Sequence, residues 1–144
     1  MPRTSLPVEF LFRMEAQLTR PMTIAPGPQG DRLILGVAGG HFEGPRLRGG
    51  FVDGSGSEWA TTRADGSQRV DVRLLLRTDD GAAIGMTYNG VAVPEAGGLQ
   101  VTTAPTFQTG AEGYAWLNHV QAVGIGELIP KGIAYDVYRV LWPD

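Results

Sequence analysis

The sequence contains no cysteine, which excludes disulfides and thiolate metal sites. Histidine is almost as scarce. His41 and His119 are the only two, nothing near them has metal-ligand spacing, and a protein without metal or other cofactor is expected. Lys131 is the only lysine among 12 basic residues, so the positive charge is almost all arginine, which favours fixed planar contacts over loosely solvated ones. A net charge of −3 leaves no basic footprint for nucleic acid. No apolar run approaches the ~20 residues of a membrane span, so no membrane partner is expected. The opening "MPRTSLPVEF" has neither the apolar core nor the cleavage site of a secretory leader, and the expected location is the cytoplasm.

Glycine and proline, by contrast, are abundant, at 21 and 10 residues. They fall between short patterned runs, as in hairpin-rich all-β chains, and the length suits one domain over residues 1–144. "VEFLFRMEAQL" puts Val8, Phe10, Phe12, Met14, Ala16 and Leu18 on one face, a period of two that reads as a half-buried strand. "RVDVRLLLRT" reads as a central strand, with Val70, Val72, Leu74 and Leu76 opposite Asp71, Arg73, Leu75 and Arg77. "LILGVAGG", "SEWATTR", "AIGMTY", "LQVTTAPTF", "YAWLNHVQAVGIG" and "IAYDVYRVLW" supply further strands. "TRPMTIAPGPQGDR" and "NGVAVPEAGG" read as loops. A sheet of this many strands closes or folds over to remove its edges. The expected architecture is a single antiparallel closed β-barrel of about eight strands, with room inside for side chains or one small ligand; a β-sandwich is the alternative.

Five motifs occur in order along the chain: "GGHFEGPRLRG", "GSGSEW", "RTDDGAAI", "PTFQTG" and "YAWLN". Together they resemble domain-of-unknown-function family 3237, a group of small β-barrels similar in shape to allene oxide cyclase barrels. The resemblance implies a closed barrel but no agreed activity. Against the family pattern, Gly85 stands in place of an aromatic, Thr102 in place of an arginine and Gln108 in place of a glutamate. If those positions line the cavity, the resemblance implies a roomier and less charged one here.

Glu43 is the leading candidate for chemistry, since a carboxylate in an apolar barrel is suited to acid–base work near neutral pH. Its orientation depends on parity. An unbroken strand puts it with Leu47 and Phe51; a bulge at Gly44-Pro45 puts Phe42, Leu47 and Phe51 together and sends His41, Glu43, Arg46 and Arg48 the other way. The resemblance favours the lumen for Glu43, the hydrophobic pattern the outside. Tyr114 and Asn118 are candidate polarising donors beside it. His41, Arg48, Trp59, Asp71, Arg73, Gly85, Thr103, Gln108 and Trp116 are candidate ligand contacts, although Asp71 and Arg73 better suit cross-strand ion pairs on the outside. The expected function is cofactor-free isomerisation, cyclisation or elimination on a small organic substrate in the lumen. A non-catalytic ligand-binding barrel and a structural subunit forming homo-oligomers are the alternatives. No nucleophile elbow, phosphate loop or dinucleotide fingerprint is present.

Overall fold

The computed structural model describes all 144 residues. Eleven strands run along the chain: β1 (Val8–Leu18), β2 (Met22–Ile24), β3 (Asp31–Glu43), β4 (Arg48–Phe51), β5 (Ser57–Thr62), β6 (Gln68–Thr78), β7 (Ala83–Glu95), β8 (Gly98–Thr103), β9 (Thr106–Thr109), β10 (Ala122–Ile129) and β11 (Gly132–Val140). Eight of them close a ring in the order β1, β3, β5, β6, β7, β8, β10, β11, and β11 returns to β1. Every pairing in the ring is antiparallel, so the barrel expected from the sequence is the fold adopted. At one end β4 joins β3 to β6 and β9 lies along β7. At the other end β2 adds to β3.

Four segments differ from the sequence expectation. "TRPMTIAPGPQGDR", expected as a loop, carries the short strand β2. In "VEFLFRMEAQL" the alternation breaks at a bulge between Phe10 and Phe12, so Val8 and Phe10 are exposed and Leu11 is buried. "EGYAWLNH" is a 3₁₀ helix, Glu112–His119, rather than the start of a strand. Tyr114, Leu117 and Val120 recur every third residue, which a 3₁₀ helix stacks on one side, and all three pack on the core. "NGVAVPEAGG" is mostly strand: β7 runs through Pro94 to Glu95 and turns back at Gly97. Pro94 lies past Gln68, where β6 ends, so its missing N–H costs no ladder bond on that side.

The inside is set by alternation. Val70, Val72, Leu74 and Leu76 of β6, Ile84, Met86 and Tyr88 of β7, and Ile133, Tyr135 and Val137 of β11 are all buried. The capped half of the barrel is filled by aromatic packing: Phe12 meets Phe42 at 5.5 Å and Phe107 at 6.0 Å between ring centres. Leu117 of the 3₁₀ helix plugs that end and is fully buried.

Strand β3 changes parity midway. Val37 and Phe42 are both buried although five positions apart, which an unbroken strand forbids. The slip lies at Ala38, which the β1–β3 register skips between Gln17–Gly39 and Leu18–Val37, and the two glycines that follow, Gly39 and Gly40, have positive φ.

Candidate functional site

The hairpin from β3 to β4 decides the position of Glu43. The strand ends at Glu43, Gly44 donates its N–H to the Leu47 carbonyl, and Glu43 pairs with Arg48 in register. Phe42 and Leu47 are buried, while His41, Glu43, Arg46 and Arg48 are exposed. The hydrophobic pattern therefore decides the parity, and the lumen position for Glu43 is overturned. Burying three apolar side chains outweighs the burial of one carboxylate, which costs energy unless it is paired.

The other candidates of that group build the barrel's cap rather than its interior. Tyr114 donates its hydroxyl to both oxygens of Asp80, at 3.0 Å each. With the Thr78 hydroxyl as the stronger cause, this holds the Asp80 carboxyl below its ordinary range. Asn118 accepts from the Thr109 N–H at 2.8 Å and donates to the Thr109 carbonyl at 3.0 Å, acting as a one-residue strand partner for β9. Trp116 is half-buried with the Arg46 guanidinium 3.6 Å above its ring, and Arg48 pairs with Asp79 at 3.3 Å. Asn118→Ala removes both bonds to β9. It is expected to cost about 1–3 kcal/mol, read as a lower urea midpoint.

Trp59, Asp71, Arg73 and Gln108 are exposed on the outer wall. Gly85 lies opposite Gln108 in the β7–β9 ladder on that same wall, and Thr102 is exposed on β8. The three departures from the family pattern thus change the outside of the barrel and leave the charge of its interior untouched. Thr103 alone among the candidates faces inward; it is buried, opposite Gly90 and Gly124 in the neighbouring strands.

The interior has a carboxylate of its own, and it is Glu58. In β5, Ala60 is buried and Trp59 is 43% exposed, so Glu58, on the Ala60 side, points inward. Its register partners are Leu35 of β3 and Val72 of β6, and Val72 in turn pairs with Tyr88 of β7. Glu58 and Tyr88 therefore sit at one level of the barrel wall. Tyr88 and Tyr135 meet edge to face, with ring centres 5.5 Å apart, and the Glu58 charge acts on both hydroxyls. Gly126 makes that arrangement possible, since a Cβ there would stand 2.4 Å from the Tyr135 ring.

The electrostatics of this cluster follow from burial. Desolvation alone pushes the Glu58 carboxyl above its ordinary value, and none of the barrel's four ion pairs includes it. Desolvation, the neighbouring tyrosine and Glu58 push Tyr88 well up, and burial with the Glu58 charge raises Tyr135 as well. Both hydroxyls thus stay protonated. Arg139 Nε is the one fully enclosed side-chain polar atom without a hydrogen bond. The Glu58 oxygens, which have no protein partner either, therefore border space that solvent or a small molecule can reach.

Sequence reasoning passed over Glu58 because "SEW" offers an aromatic that outranks a glutamate for burial. The available signal was the alternation of Ala60 against Trp59. Tyr88 and Tyr135 were legible as inward residues, since they share faces with Ile84 and Met86 and with Ile133 and Val137.

Two open concavities lie outside the barrel, and neither is lined by Glu58, Tyr88 or Tyr135. One, of about 480 Å³, runs over β1, β8, β10 and β11 past Arg13, Thr102, Ile125 and Asp136. The other, of about 440 Å³, lies between Glu43, Arg48, Asp80 and Tyr114. Both are open to water, and each holds one ion pair, Arg13 with Asp136 at 3.1 Å and Arg48 with Asp79 at 3.3 Å. An unpaired, desolvated carboxylate beside two fixed donors marks a reactive site better than size does. No three histidine, aspartate or glutamate side chains converge so as to hold a metal ion, and no helix is long and apolar enough to cross a membrane.

Residues 6–140 match the model of the family described as "Protein of unknown function (DUF3237)". The hydroalkoxylation enzyme phnH of Penicillium herquei is 35% identical over 125 residues, which are 81% of this chain and 72% of that protein. A UPF0311 protein of Clostridium acetobutylicum is 26% identical over 92% of both chains. Among solved structures, a beta-barrel like protein from Acinetobacter baumannii AYE aligns with a TM-score of 0.89 at 26% identity, over 97% of this chain and 99% of that one. An enzyme from Penicillium herquei aligns with a TM-score of 0.80 at 25% identity, over 98% of each. With an eight-stranded ring and a family match over nearly its whole length, the chain belongs to the DUF3237 family of β-barrel proteins.

Proposed function

We propose that the barrel catalyses cofactor-free, intramolecular addition of a hydroxyl group across a carbon–carbon double bond conjugated to a carbonyl, inside its lumen. The observation that carries this reading is Glu58, an unpaired carboxylate facing an apolar interior beside two tyrosine hydroxyls. Kinship with an enzyme named for hydroalkoxylation and likeness to an enzyme of the same fold support a catalytic barrel.

The chemistry needs only proton movement. The Glu58 carboxylate takes the proton of the substrate hydroxyl, and the freed oxygen bonds to the far carbon of the double bond. The π electrons shift toward the carbonyl oxygen, whose developing charge the Tyr88 and Tyr135 hydroxyls meet as donors. The Glu58 carboxylic acid then returns the proton to the carbon next to the carbonyl. Substrate and product are isomers, and no electrons enter or leave. Desolvation strengthens the base for the first step, and apolar walls hold the two reacting ends together.

The test is conversion of ortho-crotonoylphenol, which closes to a methylchromanone, followed by chromatography against the buffer rate. Acceleration by the native protein that depends on Glu58 is expected. Ring closure no faster than in buffer, with the substrate bound, overturns the reading and leaves a binding protein.

A further inference from the structure

Charge is distributed across the barrel wall with one sign missing from the inside. Arg3, Arg20, Arg46, Arg48, Arg63, Arg69, Arg73, Arg77 and Lys131 are exposed. Arg13 is held outside by Glu15 and Asp136, at 3.2 and 3.1 Å, and Arg32 reaches toward Gln29 at the β2 end. Arg139 pairs with Glu9 at 3.4 Å at the capped end, four residues along β11 from Tyr135 and so about 13 Å away. Both histidines are exposed. The middle of the lumen is left with a single ionisable acid, Glu58, two tyrosine hydroxyls and the Thr103 hydroxyl, among valine, leucine and alanine.

An anionic ligand placed there gains no counter-charge, loses its hydration and meets a like charge in a medium of low dielectric constant. A neutral ligand with a hydroxyl loses little and finds an acceptor in Glu58 and donors in the tyrosines. The net charge of −3 adds a weaker, long-range bias in the same direction.

We infer that the luminal site selects by charge: it admits uncharged, hydroxyl-bearing organic molecules and rejects carboxylates, phosphates and substrates carried on nucleotide thioesters, with Glu58 as the residue that enforces the rejection. The inference rests on the luminal site proposed above, but its test reads binding alone. Dissociation constants are measured by calorimetry at pH 8 for β-naphthol and β-naphthoate, which share one ring system and differ in charge. The native protein is expected to prefer the naphthol by about tenfold or more. Glu58→Gln is expected to close most of that gap by gaining naphthoate affinity, while Glu43→Gln, on the outer surface, leaves both constants unchanged. Equal binding of the two ligands by the native protein, binding of neither, or an unaltered preference in Glu58→Gln overturns the inference. Naphthol binding with the expected preference but no ring closure of ortho-crotonoylphenol sinks the catalytic reading and leaves charge selection standing.

Discussion

Glu58→Gln is expected to lower kcat/KM for ring closure by about 10²–10⁴-fold while making the protein more stable at pH 8. The two effects have one cause. Glutamine keeps the volume and a hydrogen-bonding end but cannot take up a proton, so the base is lost without a cavity being made. In the native chain, burial holds the folded carboxyl above its ordinary value of 4.5. As pH rises, the unfolded state releases this proton first, so the stability Glu58 allows is fullest below about pH 4.5 and declines until the folded group ionises too. The glutamine variant lacks that decline, and its unfolding temperature at pH 8 is expected to exceed the native one by about 2–4 °C for each kcal/mol recovered. Activity has the matching signature: kcat/KM of the native protein rises with pH through a limb lying above the ordinary carboxylate range. A thermal-unfolding series from pH 4 to pH 8 and a pH–rate profile read both. An unchanged rate in Glu58→Gln removes it from the chemistry, and a limb at the ordinary carboxylate range argues against its desolvation.

Gly40→Ala is expected to be strongly damaging, at about 3 kcal/mol or more, with expression lost or the urea midpoint sharply lowered. A Cβ at Gly40 would stand 2.1 Å from the Glu15 carbonyl oxygen and 2.7 Å from the Phe51 ring. Backbone cannot step aside as a side-chain tip does, and φ there is +137°, where an alanine is strained in any surroundings. Relief would require undoing the bulge, which turns Phe42 outward and His41 and Glu43 inward. Gly85→Ala is the control. Its added Cβ meets only Gln108, the carbonyl oxygen at 3.6 Å and the Cβ at 3.9 Å, ordinary contacts at ordinary φ, so a change within about 0.5 kcal/mol is expected. Equal effects of the two substitutions would falsify the role given to the bulge.

The placement of Gly85, Thr102 and Gln108 alters what the family departures mean. All three face outward, so the absence of an aromatic, an arginine and a carboxylate remodels the outer wall over β7, β8 and β9. The residues that carry the family resemblance mostly build the cap: Asp80 with Tyr114, Asn118 with Thr109, Arg46 with Trp116. They hold the 3₁₀ helix over the barrel's aromatic end, and the Glu58 cluster lies deeper: Glu58 belongs to the motif "GSGSEW", while Tyr88 and Tyr135 lie outside all five motifs.

Alternation and turn residues by themselves determined that this chain is an antiparallel all-β protein and which faces of β6 and of β1 from Phe12 to Leu18 point inward, and the lack of cysteine excluded disulfides and thiolate metal sites; the choice of barrel over sandwich came with the closed ring of pairings. Those features are local: a period of two and a glycine turn act within a few residues and need no partner to be read. The tertiary structure alone decided where each glutamate points. Glu43 went outside because a bulge at Ala38, many residues from Phe51, slipped the β1–β3 register, and Glu58 went inside because closing the ring on Ala60 left Trp59 the outer face. A single strand carries two parities of nearly equal merit, and only the ladder with its neighbours, fixed by the sum of their buried side chains, selects between them.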